Sequence, residues 1–207
     1  MSPYTLHGVR FGNTRYGVDL KLADSLAAAL TDQVPVPNPM GITAENLAEK
    51  YGITREQCDQ FALQSQQRWA KGQEEGAFKD EIVPIEIKSK KGVDVFDTDE
   101  HPRPQVNMQT LAKLSPVFKK DGTVTAGNAS GICDGAAANV VASEEALKKY
   151  NLKPLVRIAG YGITACEPSI MGIGPVEASK IALQRAGLSL DKMDTVSYTH
   201  LTLPTKA

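Results

Sequence analysis

At 207 residues, with 42% hydrophobic and 23% charged content, the chain has material for one or two packed domains of ordinary soluble composition. Twenty-three basic residues against twenty-four acidic, with neither sign clustered, argue against a nucleic-acid or polybasic membrane surface, and no apolar run is long enough for a membrane span. Three cysteines, Cys58, Cys133 and Cys166, in odd number and without C-x-x-C spacing, argue against a disulfide framework or zinc ribbon and for a reducing compartment.

The first residues, M-S-P-Y-T-L-H, have neither the apolar centre of a secretory signal nor the arginine-rich length of a transit peptide. Met1 also reads as an internal methionine of a longer protein, and then this start says nothing of targeting. Leu22, Leu26, Ala29 and Leu30 recur at helical spacing and predict a helix ending before V-P-V-P-N-P, an exposed extended connector. A short helix is predicted from Thr43, with Leu47 and Ala48 on one side and Gly52 at its end. Thr54 and Gln57 then form a capping-box pattern before a longer helix with an inward stripe of Cys58, Phe61, Ala62, Ser65 and Trp69. On that stripe Cys58 is a packing residue rather than a reactive one.

Ile82, Val83, Ile85 and Ile87 predict a strand, placed at an edge by Pro84, and the following K-S-K-K-G reads as a solvated turn. Ala136 to Ala142 predict entry into a buried strand, and Ser143 caps a helix through Glu144, Glu145 and Leu147. Leu155 to Ile163 is a further strand candidate. Pro175 opens a helix that turns Val176, Ala178, Ile181, Ala182 and Ala186 inward and closes at Gly187. Strands and helices alternating in the last third suggest a βαβ arrangement, whereas the first half is helical and loop-rich.

The most informative run is D-G-T-V-T-A-G-N-A-S-G-I-C-D-G-A-A-A, from Asp121 to Ala138. Gly122, Gly127, Gly131 and Gly135 permit positive φ and leave no side chain in the way of a ligand. Thr123, Thr125, Asn128 and Ser130 add hydroxyl and amide groups. The composition suits a loop around a bound cofactor, and equally a tight connection packed against another element.

This run resembles the G-T-V-T-A-G-N-A-S-G-x-x-D-G-A-A segment of the thiolases. The resemblance continues in M-G-I-T-A-E-N (Met40 to Asn46), F-K-D-E-I-V-P (Phe78 to Pro84), D-E-H-P-R (Asp99 to Arg103) and S-I-M-G-I-G-P (Ser169 to Pro175). The order and spacing of the motifs follow that family from about Pro3 to Val196, nearest to its mitochondrial ketoacyl-CoA branch. The resemblance implies an α/β protein of the thiolase-like fold, with αβαβα layers in the full protein, represented here by the loop domain and parts of both core halves. Residues 1–123 correspond to the loop domain, 124–150 to the end of the amino-terminal core half, and 151–196 to the start of the carboxy-terminal half. Residues 197–207, S-Y-T-H-L-T-L-P-T-K-A, depart from the family and read as translated adaptor sequence.

Thiolases move an acyl group between a carbon nucleophile and the sulfur of coenzyme A through an acyl-cysteine. That chemistry needs an activated thiolate, a group that moves a proton at the α-carbon, and donors for the thioester oxyanion. The family supplies them from C-G-S-G-like, N-E-A-F, G-H-P and C-x-G-G-G motifs, none of which this sequence contains. No catalytic residue is therefore assigned, and the chain is expected to be an inactive internal piece of a β-oxidation acyltransferase.

The family positions that are present belong to the coenzyme side. By resemblance Met40 lies along the acyl or pantetheine channel, and Met171 lines the pocket near the thioester. Arg103 and Thr110 stand beside the adenine and its phosphorylated ribose, and Gly127 and Ser130 contact the pantetheine amides. Read from residue type alone, Met40 and Met171 are core filler, Arg103 a solvated side chain after a proline turn, and Thr110 part of a helix cap. The resemblance implies acyl-CoA and coenzyme A as substrates, no tightly bound cofactor and no metal. It also implies homo-oligomers of the full-length protein, no nucleic-acid partner, and the mitochondrial matrix. A biosynthetic acetoacetyl-CoA thiolase, or a non-catalytic coenzyme-binding or oligomerisation piece, remains the alternative. His7 and His200 read as surface residues.

Overall fold

The computed structural model describes residues 4–6, 16–17, 19, 22–32, 37–132 and 138–193. Residues up to Tyr51 together with those from Val141 onward form one compact unit, and Gly52–Val140 form a second. Cys133, His7, His200 and the tail from 197 lie outside the described residues.

In the first unit, β1 (Tyr4–Leu6) pairs antiparallel with β2 (Leu22–Asp24), Leu6 standing opposite Leu22. Asp24 then starts α1 (Ser25–Ala29), its Oδ1 accepting the amides of Leu26 at 2.9 Å and Ala27 at 2.8 Å. These bonds satisfy two of the N–H groups that a helix start leaves open. The predicted helix through Leu22 is thus shorter than its spacing implied: Leu22 lies in a strand, because the cap falls two residues later. A second short pair joins β3 (Thr31–Asp32) to β4 (Asn38–Pro39), so the end of the proline run expected as a connector is a short strand; residues 33–36 are not described. Helix α2 (Met40–Tyr51) begins earlier than predicted, buries Thr43, Glu45 and Ala48, and ends where Gly52 adopts φ +66°.

The second unit is organised on α3 (Arg55–Glu74). Its start is the expected capping box: Thr54 Oγ1 accepts the Gln57 amide at 3.2 Å, and Gln57 Oε1 accepts the Thr54 amide at 2.8 Å. The inward stripe differs from prediction in one instructive way. Cys58, Phe61, Ala62 and Trp69 are half-buried as expected, but Ser65 is exposed and the residue taken fully inside is Asp59. Asp59, next to Cys58 at the start of the stripe, goes inside because Arg55 and Asn128 donate to it there. Farther along, Trp69 stacks on Phe78 with ring centroids 6.4 Å apart.

Strands β5 (Ile85–Ser89) and β6 (Gly92–Phe96) form an antiparallel hairpin exposed on both faces, Ile85 opposite Phe96. The predicted strand from Ile82 begins only after Pro84, which has no N–H to give a ladder. Lys90 and Lys91 make the turn, as expected, and Gly92 takes φ +130°. Helix α4 (Met108–Ala112) follows, with a capping box of its own between Asn107 and Thr110, and it buries Leu111 to 1% exposure.

The chain then returns to the first unit. Helix α5 (Glu144–Tyr150) is capped by Ser143, whose Oγ accepts the Ala146 amide at 3.2 Å, and Asn151 closes it at φ 50°. Neither predicted strand nearby joins a ladder among the described residues. From Ala138 to Ala142 the backbone is unpaired, with Val140 and Val141 exposed, and Ala136 and Ala137 lie outside the description. Leu155 to Ile163 belongs to no strand, so the βαβ unit expected there is not formed. The segment instead lies along α6 (Gly174–Ala186), which a 3-10 helix (Pro168–Ile173) precedes. A Cβ on Gly160 would stand 2.6 Å from the Ala182 carbonyl oxygen, and one on Gly162 would overlap the Ala178 carbonyl. Arg185 Nη1 donates to the Tyr161 carbonyl at 2.9 Å, its guanidinium 5.0 Å from the Tyr161 ring centroid. Helix α6 keeps its predicted half-buried face and closes at Gly187, φ +66°. Ser169, on the 3-10 helix, is tied to α2 by Asn46 Nδ2, which donates to its carbonyl at 3.0 Å.

Candidate functional site

The second unit contains a cleft of about 550 Å³ between α3, the turn at His101 to Val106, α4 and the glycine-rich loop. Leu111, Leu114, Ala126 and Ala129 line it with apolar surface, while Gln66, His101, Arg103 and Thr110 supply polar groups. Three of the residues singled out in the sequence, Arg103, Thr110 and Gly127, thus meet around one space.

Arg103 is set by the proline turn before it. Its backbone amide donates to Gln66 Oε1 at 2.7 Å, which fixes the turn to α3. Its Nη1 folds back to donate to the carbonyls of Glu100, His101 and Pro102, at 2.6, 2.9 and 3.0 Å. One edge of the guanidinium is therefore committed to its own loop, and no acceptor among the described residues takes Nε or Nη2. A fork with a free edge is the group that binds phosphate or stacks on a base.

Thr110 is the third residue of α4 and a member of its cap. Its Oγ1 accepts the Asn107 amide at 3.0 Å and donates to the Asn107 carbonyl at 2.8 Å. The cap reading drawn from residue type is therefore realised. A hydroxyl has one proton and two lone pairs, so one accepting position is left on this cleft-lining side chain.

The glycine-rich loop uses its glycines for close approach and not for left-handed backbone, since none of Gly122, Gly127 and Gly131 has a positive φ. A Cβ on Gly127 would stand 2.5 Å from Leu114 Cδ1 and 2.6 Å from Leu111 Cδ2, and one on Gly131 would enter the His101 ring. The loop is packed against the end of α4, as the reading of a tight packed connection has it, and its Ala126, Gly127 and Ala129 form a wall of the cleft. Ser130 is exposed, its Oγ facing the Gly131 carbonyl at 3.5 Å, the limit of a hydrogen bond.

Met40 and Met171 belong to the first unit. Met40 opens α2 and is 46% exposed; Met171 lies on the 3-10 helix and is 41% exposed. Neither is core filler. Gly172 beside Met171 is pressed against Leu47 of α2, 2.8 Å from a Cβ placed there.

Sequence reasoning missed the polar network under the loop. Asp59 is 2% exposed and Thr125 fully buried. Asp59 Oδ2 lies 2.8 Å from Arg55 Nε, and Arg55 Nη2 donates to the carbonyls of Leu111 at 2.7 Å and Leu114 at 2.9 Å. Asn128 Nδ2 donates to Asp59 Oδ1 at 2.9 Å and to the Thr123 carbonyl at 2.8 Å, while its Oδ1 accepts the Thr125 amide at 2.8 Å. The available signal was Arg55 and Asp59 four apart on a helix already marked by its cap, a pairing normally spent on the solvent face.

The comparisons agree with the motif series. The family model of the thiolase N-terminal domain matches residues 3–145, and that of the thiolase C-terminal domain matches residues 152–200. The mitochondrial 3-ketoacyl-CoA thiolase of Mus musculus is 57% identical over 203 residues, 98% of this chain and 51% of that protein, and that of Homo sapiens is equally similar. An acetyl-CoA acetyltransferase of Chromobacterium violaceum is 51% identical over 95% of this chain and 50% of its own length. Among solved structures, human mitochondrial 3-ketoacyl-CoA thiolase superposes with a TM-score of 0.89 at 54% identity, covering 98% of this chain and 53% of that one. The same human protein in complex with CoA gives 0.88 at 53% identity, covering 98% and 52%. The chain spans about half the length of the curated relatives it matches. With family models over most of its residues and solved relatives of the same fold at more than half identity, this chain belongs to the thiolase family and has the α/β thiolase-like fold.

Proposed function

We propose that this chain is the coenzyme-recognising part of a ketoacyl-CoA thiolase, which cleaves ketoacyl-CoA with coenzyme A in fatty acid β-oxidation. The observation that carries the reading is the convergence of Arg103, Thr110 and Gly127, from three separate stretches of the chain, on one cleft. Its size is that of a small-molecule site, typically about 300–1,000 Å³. More apolar than polar in its lining, with polar groups at Gln66, His101, Arg103 and Thr110, it suits a ligand with a stackable base, phosphates and an amide-bearing arm.

In this reading the free edge of Arg103 meets the phosphorylated ribose or the adenine face. The remaining lone pair of Thr110 accepts from the nucleotide, and the bare backbone at Gly127 with the hydroxyl of Ser130 passes the pantetheine arm. Met40 and Met171, exposed thioethers of the first unit, serve the acyl chain, where an unbranched side chain adapts to different lengths. No bond-making step is assigned to a residue of this chain. We further assign the protein to the mitochondrial matrix, as an assembly of identical subunits, in keeping with the mitochondrial relatives. Residues 1–123, 124–150 and 151–196 keep the division into loop domain and two core portions given above.

Isothermal titration with coenzyme A tests the reading. We expect saturable heat, weakened about tenfold by Arg103→Ala, the worth of one charge-assisted hydrogen bond. Arg103→Lys recovers only part of that, because an ammonium lacks the fork. No heat, or equal affinity in all three proteins, contradicts it. Thiolytic cleavage of acetoacetyl-CoA by the 207-residue chain at the rate of a whole thiolase would contradict the absence of a catalytic assignment.

A further inference from the structure

The walls of the cleft are made by α4 and the glycine-rich loop, and neither holds itself in place. Helix α4 has five residues, too few to be stable alone, and the described residues of the loop join no ladder. Both are attached to the same point on α3. Arg55 Nη2 takes the carbonyls of Leu111 and Leu114 at the end of α4, and Arg55 Nε is held by Asp59 Oδ2. Asp59 Oδ1 takes the carboxamide of Asn128, which carries the loop. The two oxygens of one buried carboxylate are thus divided between the two walls.

We propose that Asp59 is the positioning residue of the coenzyme cleft, setting the glycine-rich loop against α4 through Asn128 on one oxygen and Arg55 on the other. The inference rests on the coenzyme reading for its purpose, but the clamp itself rests on geometry alone. Three features favour positioning over general packing. The acceptor is a carboxyl group held 2.8 Å from a guanidinium nitrogen, the geometry of a charge-assisted bond. Asn128 spends both protons of its amide group, one on Asp59 Oδ1 and one on the Thr123 carbonyl, while its single oxygen accepts the Thr125 amide. The loop's further bonds then follow from that anchor: the Gly127 amide donates to Thr125 Oγ1 at 3.2 Å, and the Ala129 amide to the Thr125 carbonyl at 2.9 Å. A loosened anchor frees the segment that carries Gly127 and Ala129 into the cleft wall.

The test is amide hydrogen exchange combined with coenzyme A titration, on the unaltered protein, Asp59→Asn, Asn128→Ala, and the exchanged pair Asp59→Asn with Asn128→Asp. In Asp59→Asn we expect the Thr125, Gly127 and Ala129 amides to exchange about tenfold faster or more, as loss of a bond to a charged group implies, while Ala70 to Gln73 on α3 keep their rates. Coenzyme A affinity falls with them, and the exchanged pair, which again joins an amide to a carboxylate across the same gap, recovers part of both. Should Asp59→Asn not fold, Asn128→Ala decides alone, since it leaves Arg55 and Asp59 paired. Unchanged loop exchange in the folded variants overturns the clamp. A loosened loop with undiminished affinity overturns its role in positioning the site. Absence of coenzyme A binding by the unaltered protein, with loop exchange responding as expected, removes the coenzyme reading and leaves the clamp.

Discussion

The cleft region and the extended segment from Leu155 to Ile163 are both built from backbone without regular ladders, yet they are stabilised in opposite ways. Around the cleft every buried polar group of the Arg55, Asp59, Thr125 and Asn128 network has a partner, all within the second unit. In the extended segment Leu155, Val156, Ile158 and Ile163 are exposed, and cohesion comes from two glycines against α6 and one arginine. Polar anchoring specifies one geometry through directional bonds, whereas apolar residues specify only that a surface is to be covered.

The comparison is broken most severely where backbone touches backbone. Replacing Gly162 by Val forces a branched side chain into the Ala178 carbonyl, which cannot move without bending α6; we expect a loss of about 3 kcal/mol, read by thermal or urea unfolding. Gly127→Val, which meets only the side-chain ends of Leu111 and Leu114, should cost less, about 1–2 kcal/mol, and widen the cleft. Asn107→Ala removes the cap of α4 and is expected to cost about 1 kcal/mol, together with faster exchange of the Thr110 amide. At the small end, Lys148→Ala breaks an exposed pair with Glu144 and should change stability by less than about 0.5 kcal/mol. A larger effect there would mean that the pair is not screened by solvent as its exposure implies.

What could be read from the sequence divides along the same line. The start of α3 and both ends of α6 were legible, because caps are local: Thr54 with Gln57, Pro175, and Gly187 act over four residues or fewer. The helix at Leu22 was overextended for the same reason in reverse, since its apolar spacing was followed past the Asp24 cap. The strand predicted at Leu155 is not formed, because pairing depends on a neighbour that the segment itself does not name. In the cleft, Arg103, Thr110 and Gly127 were indicated by motif resemblance, while Asp59 was hidden, because an acidic residue on a polar helix is ordinarily solvated. Its burial became visible only once Asn128, far along the chain, was brought to it.

The most direct measurement is a map of amide chemical shifts on the isotope-labelled protein as coenzyme A is added. If the cleft is the carrier site, the perturbed amides are those of Arg103, Thr110, Gly127 and Ala129, and the hairpin from Ile85 to Phe96 stays unchanged. Shifts confined to the hairpin, or none at saturating coenzyme, would contradict it.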